Sequence, residues 1–158
     1  MCSLPSWQDG VRSLIWEEQH RQAGSLLSVV SVEEYIDKIL LHADFLCLHT
    51  SGKCLGFVAY YCKDATTPDA FITLFVIAPE VRGSGLAASL LNGVTVQSRQ
   101  HNCSRLKLWV HKENASALRF YQRQGFRSCE SKEHMLLMEL PIRFEQGPAL
   151  PLSNLMES

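Results

Sequence analysis

The sequence predicts a single α/β domain in which helices flank a mixed, mostly antiparallel sheet. Three observations predict this fold class. The chain has 158 residues, the size of one domain with a sizeable core. Two pairs of strand-like segments are each joined by a short turn, as in antiparallel hairpins. Between these pairs the order strand, helix, strand occurs, which adds a strand–helix–strand unit to the antiparallel strands.

The first two elements are amphipathic helices. Ser6-Trp-Gln-Asp9 resembles a capping box, and apolar residues on one helical face follow it, so the pattern predicts a helix over about residues 7–22. A cleaner box, Ser31-Val-Glu-Glu34, precedes a second apolar stripe and predicts the second helix. No clear strand precedes the first helix.

The next segments are predicted strands. Residues 45–50 and 54–62 have the character of two antiparallel strands joined by a tight turn at 51–53. Residues 70–77 form a third, longer strand that is apolar throughout. Such continuity indicates a strand that is covered on both faces.

A glycine-rich turn follows the third strand. Pro79 ends the strand, and Arg82-Gly-Ser-Gly85 leads into an apolar stripe that predicts a helix ending near Gln97. In residues 105–110 every second residue is aliphatic. This alternation predicts a strand with one buried face.

The last elements are a short helix and a hairpin. The pattern predicts the helix over about residues 115–124 and the hairpin from strands at 126–130 and 135–140. We place the domain at residues 1–141 and a tail without regular structure at 142–158, where prolines are frequent. The apolar residues of that tail are expected to pack on the domain or on a second subunit.

Composition narrows the range of functions. Fifteen Lys and Arg against sixteen Asp and Glu leave a net charge of −1, so no basic field attracts nucleic acid or anionic lipid. The apolar runs are far shorter than the roughly 20 residues of a membrane span, and no signal peptide is recognisable, so we expect a cytoplasmic protein. The six cysteines include no C-x-x-C pair, so we expect free thiols and no metal site.

The turn at residues 82–88 is the segment with recognisable chemistry. Its free N–H groups and the dipole of the following helix favour an anion, most often a phosphate. A P-loop is excluded because the only Gly-Lys pair, Gly52-Lys53, has Cys47 in place of the leading glycine. Gly83-Ser-Gly-Leu-Ala-Ala88 fits a dinucleotide fingerprint, but residues 105–110 lack the acidic residue that would hold the ribose. A plain helix cap is the remaining alternative.

The same residues also match a third motif. Read as Arg82-x-x-Gly85-x-Ala87, the turn matches the acetyl-CoA motif of the GNAT superfamily of N-acetyltransferases, which the chain resembles over about residues 30–140. The family's second signature is an Asn that opens a helix and a Tyr seven residues later, matched here by Asn114 and Tyr121. The tail has no general counterpart in the family.

The resemblance implies how acetyl-CoA is bound. Two central strands, ending near Ile77 and Val110, splay apart, and pantetheine lies in the gap and pairs with free backbone groups. Gly83 and Gly85 admit the pyrophosphate because they have no side chains. No metal is needed. The implied acetyl-CoA contacts are Phe75, Val76, Ile77, Arg82, Gly83, Ser84, Gly85, Leu86, Ala87, Ala88 and Asn114.

The resemblance also implies a general acid. Tyr121 is expected to protonate the departing CoA thiolate, since a phenol with a pKa near 10 is a suitable donor. Asn114 and Tyr121 are nearly two helical turns, or about 10 Å, apart on one side of a helix, so both can contact one extended ligand. A tyrosine at such a position also fits a core residue.

The general base is not evident from the resemblance. In some relatives a Glu acts as the base at the position that Trp109 occupies in this chain. His111 is the remaining candidate for the base; the alternatives are that His111 is only a surface residue or that a chain of water molecules takes the proton.

The function that follows is transfer of the acetyl group of acetyl-CoA to a primary amine of a small molecule, by direct attack in a ternary complex. We expect a monomer or homodimer with no nucleic-acid or membrane partner. Two alternatives stay open. One is a protein or peptide N-acetyltransferase, and the other is a non-catalytic acyl-CoA-binding regulatory domain, which the missing acidic base favours.

Overall fold

The predicted order of helices and strands is confirmed. The computed structural model describes residues 6–24, 26–62 and 68–142. A short 3-10 turn at Pro79–Val81 precedes the glycine-rich turn. Within these ranges the elements are α1 (Trp7–Arg21), α2 (Val32–His42), β1 (Asp44–Thr50), β2 (Lys53–Tyr61), β3 (Asp69–Ile77), α3 (Leu86–Gln100), β4 (Arg105–His111), α4 (Ala115–Arg123), β5 (Arg127–Lys132) and β6 (Met135–Pro141).

The strands form a mixed sheet with the order β1-β2-β3-β4-β6-β5. Every neighbouring pair is antiparallel except β3 and β4, which are parallel. α3 makes the crossover between these two parallel strands, as the strand–helix–strand pattern predicted. The fold class expected from the sequence, an α/β domain with a mostly antiparallel sheet, is therefore confirmed.

The two parallel strands separate soon after they meet. They pair only from Asp69 with Arg105 to Phe71 with Lys107. At this closed end the Asp69 carboxylate accepts a hydrogen bond of 2.9 Å from Arg105 and lies 3.1 Å from the ammonium of Lys107. Beyond Phe71 the backbones of β3 and β4 are no longer paired, which leaves a gap in the middle of the sheet.

A β-bulge lies where the strands part. Ala59 of β2 pairs with Leu74, whereas its neighbour Tyr60 pairs with Ile72, so Thr73 is an extra residue in β3. The Thr73 hydroxyl lies 2.9 Å from the hydroxyl of Tyr35 in α2. This hydrogen bond ties the bulge to the neighbouring helix.

The bulge changes which side chains of β3 face each side of the sheet. Before it, Ile72 is buried in the core beneath α3 and α4. After it, Leu74 and Val76 are buried beneath α1 and α2, and Phe75 and Ile77 pack on the side of α3 and α4. Without the extra residue, strict alternation would put Phe75 on the opposite face.

Two apolar cores lie on opposite faces of the sheet. One forms between the sheet and α1 with α2, and the other between the sheet and α3 with α4. β2 and β3 contribute buried residues to both, so the burial of β3 on both faces, expected from its apolar sequence, is confirmed.

Within the described ranges, no helix has the length and apolar character needed to cross a membrane. The five cysteines of that part of the chain are free thiols.

Three boundaries differ from or refine the sequence prediction. The capping box at the start of α1 is formed in both directions between Ser6 and Asp9. α3 continues to Gln100 instead of ending near Gln97, because Ser98 is fully buried and extends its packed face by one turn. Ile142, the first residue of the predicted tail, is buried and donates its N–H to the Ser104 carbonyl at 2.8 Å. The rest of that tail, residues 143–158, lies outside the described residues, so its expected packing stays a prediction.

Candidate active site

The gap between β3 and β4 opens into a cleft of about 510 Å³, which we name the first cleft. Its walls come from β3, the start of α3, α4 and the end of α1. Six of the predicted acetyl-CoA contacts line it, together with Glu18, Gln22 and Arg123, which the sequence did not indicate. The six are Phe75, Val76, Ile77, Arg82, Ala87 and Asn114. Tyr121, the predicted general acid, lines the same cleft.

The backbone of β3 offers hydrogen-bonding groups to this cleft. The Ala78 N–H donates to the Leu55 carbonyl at 2.9 Å, so Ala78 faces β2. Because backbone groups alternate along an antiparallel strand, those of Val76 also face β2, in register with Phe57. Those of Phe75 and Ile77 point to the gap. Of the three residues expected to bind pantetheine, Phe75 and Ile77 therefore direct backbone groups at the gap and Val76 contributes to the wall, and the Ile77 carbonyl already accepts a hydrogen bond from Arg82.

The glycine-rich turn forms the floor of one end of the cleft. Gly83 and Gly85 have φ values of 79° and 90°, which favour glycine, and a side chain at either position would meet open space. Gly85 is the N-cap of α3, and the Ser84 hydroxyl accepts a 3.4 Å hydrogen bond from the Leu86 N–H. The N–H groups of Ala87 and Ala88 have no intrahelical carbonyl partner, as is usual in a first turn. Unpaired N–H groups at a helix start, beside a bare backbone, favour an anion, and we name this turn the candidate anion site.

A buried carboxylate fixes the arginine of this turn. The Arg82 guanidinium donates at 2.8 Å to Glu18 in α1 and, through Nε, at 3.2 Å to the Ile77 carbonyl. Glu18 is only 3% exposed and also accepts hydrogen bonds from Arg21 and Gln22. Desolvation alone would raise the pKa of Glu18, but the hydrogen bonds from Gln22 and Arg82 and the nearby arginine charges outweigh it, so the pKa lies below its ordinary value.

A smaller cavity of about 350 Å³ continues from the first cleft over the turn. Its lining includes Gly83, Gly85 and Ala88, together with Arg123 at the end of α4. Arg82 and Arg123 line both cavities, so two positive side chains surround the candidate anion site. Arg123 was not predicted. Its signal in the sequence is weak, because it only shares a helical face with Phe120, three positions earlier.

Tyr121 lies among aromatic rings at the centre of the site. It is 9% exposed, and its ring is 6.4 Å from Phe75, 5.2 Å from Phe120 and 5.4 Å from Phe126 between centroids. Burial raises the pKa of Tyr121, so its hydroxyl keeps its proton at neutral pH. Among the described residues, no group forms a hydrogen bond with that hydroxyl. A partner from a bound molecule would therefore satisfy it.

A second cleft of about 500 Å³ lies on the other side of Tyr121. Leu26 and Leu27 from the connection after α1 line it, with Trp109, His111 and Met135 from the far strands. His111 is exposed at the end of β4 and pairs with Met135. Phe75, Asn114 and Tyr121 belong to the lining of both clefts, so the two clefts meet at these residues.

Asn114 begins α4 at this junction. Its side-chain oxygen accepts a hydrogen bond of 3.1 Å from the Ala117 N–H, which makes it the N-cap. The cap leaves the amide nitrogen of Asn114 as a donor on the surface of the clefts. Asn114 can therefore cap α4 through its side-chain oxygen and contact a ligand through its side-chain nitrogen.

Comparison with known proteins agrees with this geometry. A model of the acetyltransferase (GNAT) family matches residues 9–126, which is most of the chain. The chain belongs to the GNAT acetyltransferase family. It is 32% identical over 98 residues to an uncharacterized N-acetyltransferase, MJ1207, of Methanocaldococcus jannaschii, covering 60% of this chain and 43% of that protein. The chain thus spans less than half the length of this relative.

Solved structures of GNAT proteins have the same fold. Nourseothricin acetyltransferase is 27% identical with a TM-score of 0.55, over 58% of this chain and 60% of that one. A GNAT acetyltransferase from Elizabethkingia anophelis with acetyl-CoA bound has a TM-score of 0.62 at 18% identity, over 73% of this chain and 87% of that one.

Within the described ranges of the present chain, no group of three or more His, Cys, Asp or Glu side chains is placed to hold a metal ion.

The GNAT motifs thus meet in one place in this chain. The end of β3, Tyr121 and most of the turn at 82–88 border the first cleft or the cavity over the turn. The exceptions in the turn are Ser84 and Leu86, which line neither, and the Leu86 side chain packs against the core beneath α3 and α4. Trp109 and His111, the two positions considered for a base, instead border the second cleft. Glu18 was missed because no motif includes it: it comes from α1, 64 residues before its partner Arg82.

Proposed function

We propose that this GNAT protein transfers the acetyl group of acetyl-CoA to a primary amine of a small molecule, by direct attack in a ternary complex. One observation carries the proposal. The hydroxyl-bearing ring of Tyr121 lies where the first and second clefts meet, so a thioester in one and an amine in the other would approach each other beside it.

The first cleft and the cavity over the turn suit acetyl-CoA. The N–H groups of the turn, with Arg82 and Arg123, would bind the pyrophosphate. The backbone groups of Phe75 and the N–H of Ile77 would pair with the amides of pantetheine, as an added strand pairs with a sheet edge. Bound in this way, the thioester would lie near Tyr121 and next to the mouth of the second cleft.

The protein has to stabilise the oxyanion, protonate the thiolate and accept a proton from the amine. The amine nitrogen attacks the thioester carbon, and a backbone N–H near Ile77 would stabilise the negative charge that develops on the oxygen. The bond from carbon to sulfur breaks, and Tyr121 would give its proton to the thiolate. The amine loses one proton, and His111, at the rim of the second cleft, is the proposed acceptor, with water as the alternative route.

The size of the second cleft favours a small acceptor. A volume of about 500 Å³ lies in the range of small-molecule sites. The connection that carries Leu26 and Leu27 forms one wall of it, which bounds the space available to an acceptor. On the sequence grounds given above, we also propose a cytoplasmic protein that acts as a monomer or homodimer.

The experiment is release of free thiol from acetyl-CoA with a panel of small amines and, separately, short peptides with free N-termini, with products identified by mass spectrometry. Acetylated small amines would support the proposal. Turnover with peptides alone would favour a peptide N-acetyltransferase. Binding of acetyl-CoA by calorimetry without turnover of any amine would favour a non-catalytic acyl-CoA-binding domain.

A further inference from the structure

The two clefts that meet at Tyr121 differ in charge. The first cleft includes Glu18, Arg82 and Arg123 in its lining. The second cleft, as far as the described residues form it, has no Asp, Glu, Lys or Arg in its lining, and most of its side chains are apolar. The ionic groups of the site therefore lie on the side expected to hold acetyl-CoA.

A positive charge lies against one lining residue of the second cleft. The ammonium of Lys132 lies 5.3 Å above the ring of Trp109, one of the lining residues. Trp109 is half-buried, and its ring face is already used in this cation–π contact. An alkylammonium group in this cleft would lose water, find no carboxylate among the described lining residues and lie near a like charge. The Glu18 carboxylate contacts the lining residue Gln22, but it is already paired with Arg21 and Arg82.

We propose that the acceptor is a weakly basic amine with an apolar body, such as an arylamine, which enters the second cleft already uncharged. This rests on the proposed function and names its substrate class. An uncharged amino group needs no counter-charge, and an aromatic body matches the leucines, Trp109 and Met135 of the wall.

The class also explains how the reaction proceeds without a carboxylate base. The lone pair of the neutral nitrogen attacks the thioester carbon, the nitrogen–carbon bond forms and the carbon–sulfur bond breaks. The thiolate takes a proton from Tyr121, and the nitrogen gives one proton to His111 or to water after the attack. No proton has to be removed from an ammonium ion beforehand, so no strong base is required in the cleft.

The test compares aniline with cyclohexylamine, which carry six-membered rings of similar size but differ in basicity. Affinity is measured by calorimetry near pH 7 with the full chain saturated with CoA, and turnover with acetyl-CoA is followed by mass spectrometry. We expect aniline to bind at least about tenfold more tightly and to be acetylated. Cyclohexylamine binding as tightly as aniline, or neither amine binding, would overturn the proposal.

A matched pair of variants tests the role of charge. Met135 is half-buried in the lining, so Met135→Glu adds a carboxylate and Met135→Gln adds the same shape without charge. We expect cyclohexylamine affinity to be about fivefold or more higher in Met135→Glu than in Met135→Gln, whereas aniline affinity should differ little between these two variants. Equal cyclohexylamine affinities in the two variants would count against the proposal.

The outcomes distinguish a wrong acceptor class from a wrong proposed function. If alkylamines or polyamines are acetylated in preference to aniline, the acceptor class is wrong and the small-molecule N-acetyltransferase stands. If no small amine is acetylated although acetyl-CoA binds, both fail.

Discussion

The Glu18 carboxylate accepts a 2.8 Å hydrogen bond from the guanidinium of Arg82, and this contact joins α1 to the glycine-rich turn. Glu18 is buried, whereas the Arg82 side chain is about half exposed. The same guanidinium donates to the Ile77 carbonyl at the edge of the gap. Glu18 therefore sets the position of an arginine that borders both the first cleft and the candidate anion site.

Replacement of Glu18 by Gln tests this positioning role. The change removes the charge that holds Arg82 and Arg21, so Arg82 should lose its fixed orientation. We expect KM for acetyl-CoA to rise about fivefold or more with a smaller change in kcat. Glu17→Gln is the control, because it removes the same charge from an exposed neighbour in α1. Equal kinetics in the two variants would mean that Glu18 has no such role.

The stability contributed by Glu18 should depend on pH. Its pKa is lower in the folded protein than its ordinary value of 4.5, so the unfolded chain binds more protons at this group. Its contribution is fully present above that ordinary value and is lost as the pH falls through the folded-state pKa. We expect the difference in free energy of unfolding between wild type and Glu18→Gln, from urea denaturation, to shrink from about pH 6 to about pH 3.5. A constant difference would disprove the linkage.

Local patterns predicted the elements and the acetyl-CoA turn but not the contacts between distant segments. The capping boxes, the apolar run of β3 and the spacing of Gly85 and Ala87 are local signals, and each predicts its own structure. Glu18 reaches Arg82 only because α1 packs across β3, which no spacing in the sequence encodes. The bulge at Thr73 was missed for the same reason: one polar residue in an apolar run does not specify an extra residue in a ladder.

The candidate anion site can be tested at Gly85. Its positive φ tolerates Asn and Asp better than other side chains, and a side chain there would meet open space over the turn. Gly85→Asp would set a carboxylate against the pyrophosphate, whereas Gly85→Asn adds a similar shape without charge. We expect the Asp variant to bind acetyl-CoA at least about tenfold more weakly than the Asn variant, by calorimetry. Equal affinities in folded proteins would remove the turn from the binding site.

The bulge of β3 can be tested by a double-mutant cycle. Tyr35→Phe and Thr73→Val each remove one hydroxyl of the 2.9 Å contact. Each should lower the free energy of unfolding by about 1 kcal/mol, and the double variant should cost less than the sum, because the first change already breaks the bond. Strictly additive losses in urea denaturation would argue that the two hydroxyls are not coupled.

The position of Tyr121 depends on that bulge. The extra residue directs Phe75 toward α4, where its ring centroid lies 6.4 Å from that of Tyr121. Tyr121 is thereby packed between β3 and Phe126 with its hydroxyl free for a ligand, and burial raises its pKa. The hydroxyl therefore remains protonated throughout the neutral range, which is the form that a general acid needs, and the same burial makes it a weaker acid than an exposed phenol.

The central claim is that the Tyr121 hydroxyl protonates the leaving thiolate. Tyr121→Phe removes only this hydroxyl and keeps the ring and its packing. With the best acceptor of the amine panel and chemistry as the slow step, kcat should fall by about 10²-fold or more, while acetyl-CoA affinity by calorimetry stays nearly constant. An unchanged kcat would contradict the account, because Tyr121 would then be a packing residue and the thiolate would leave without its proton.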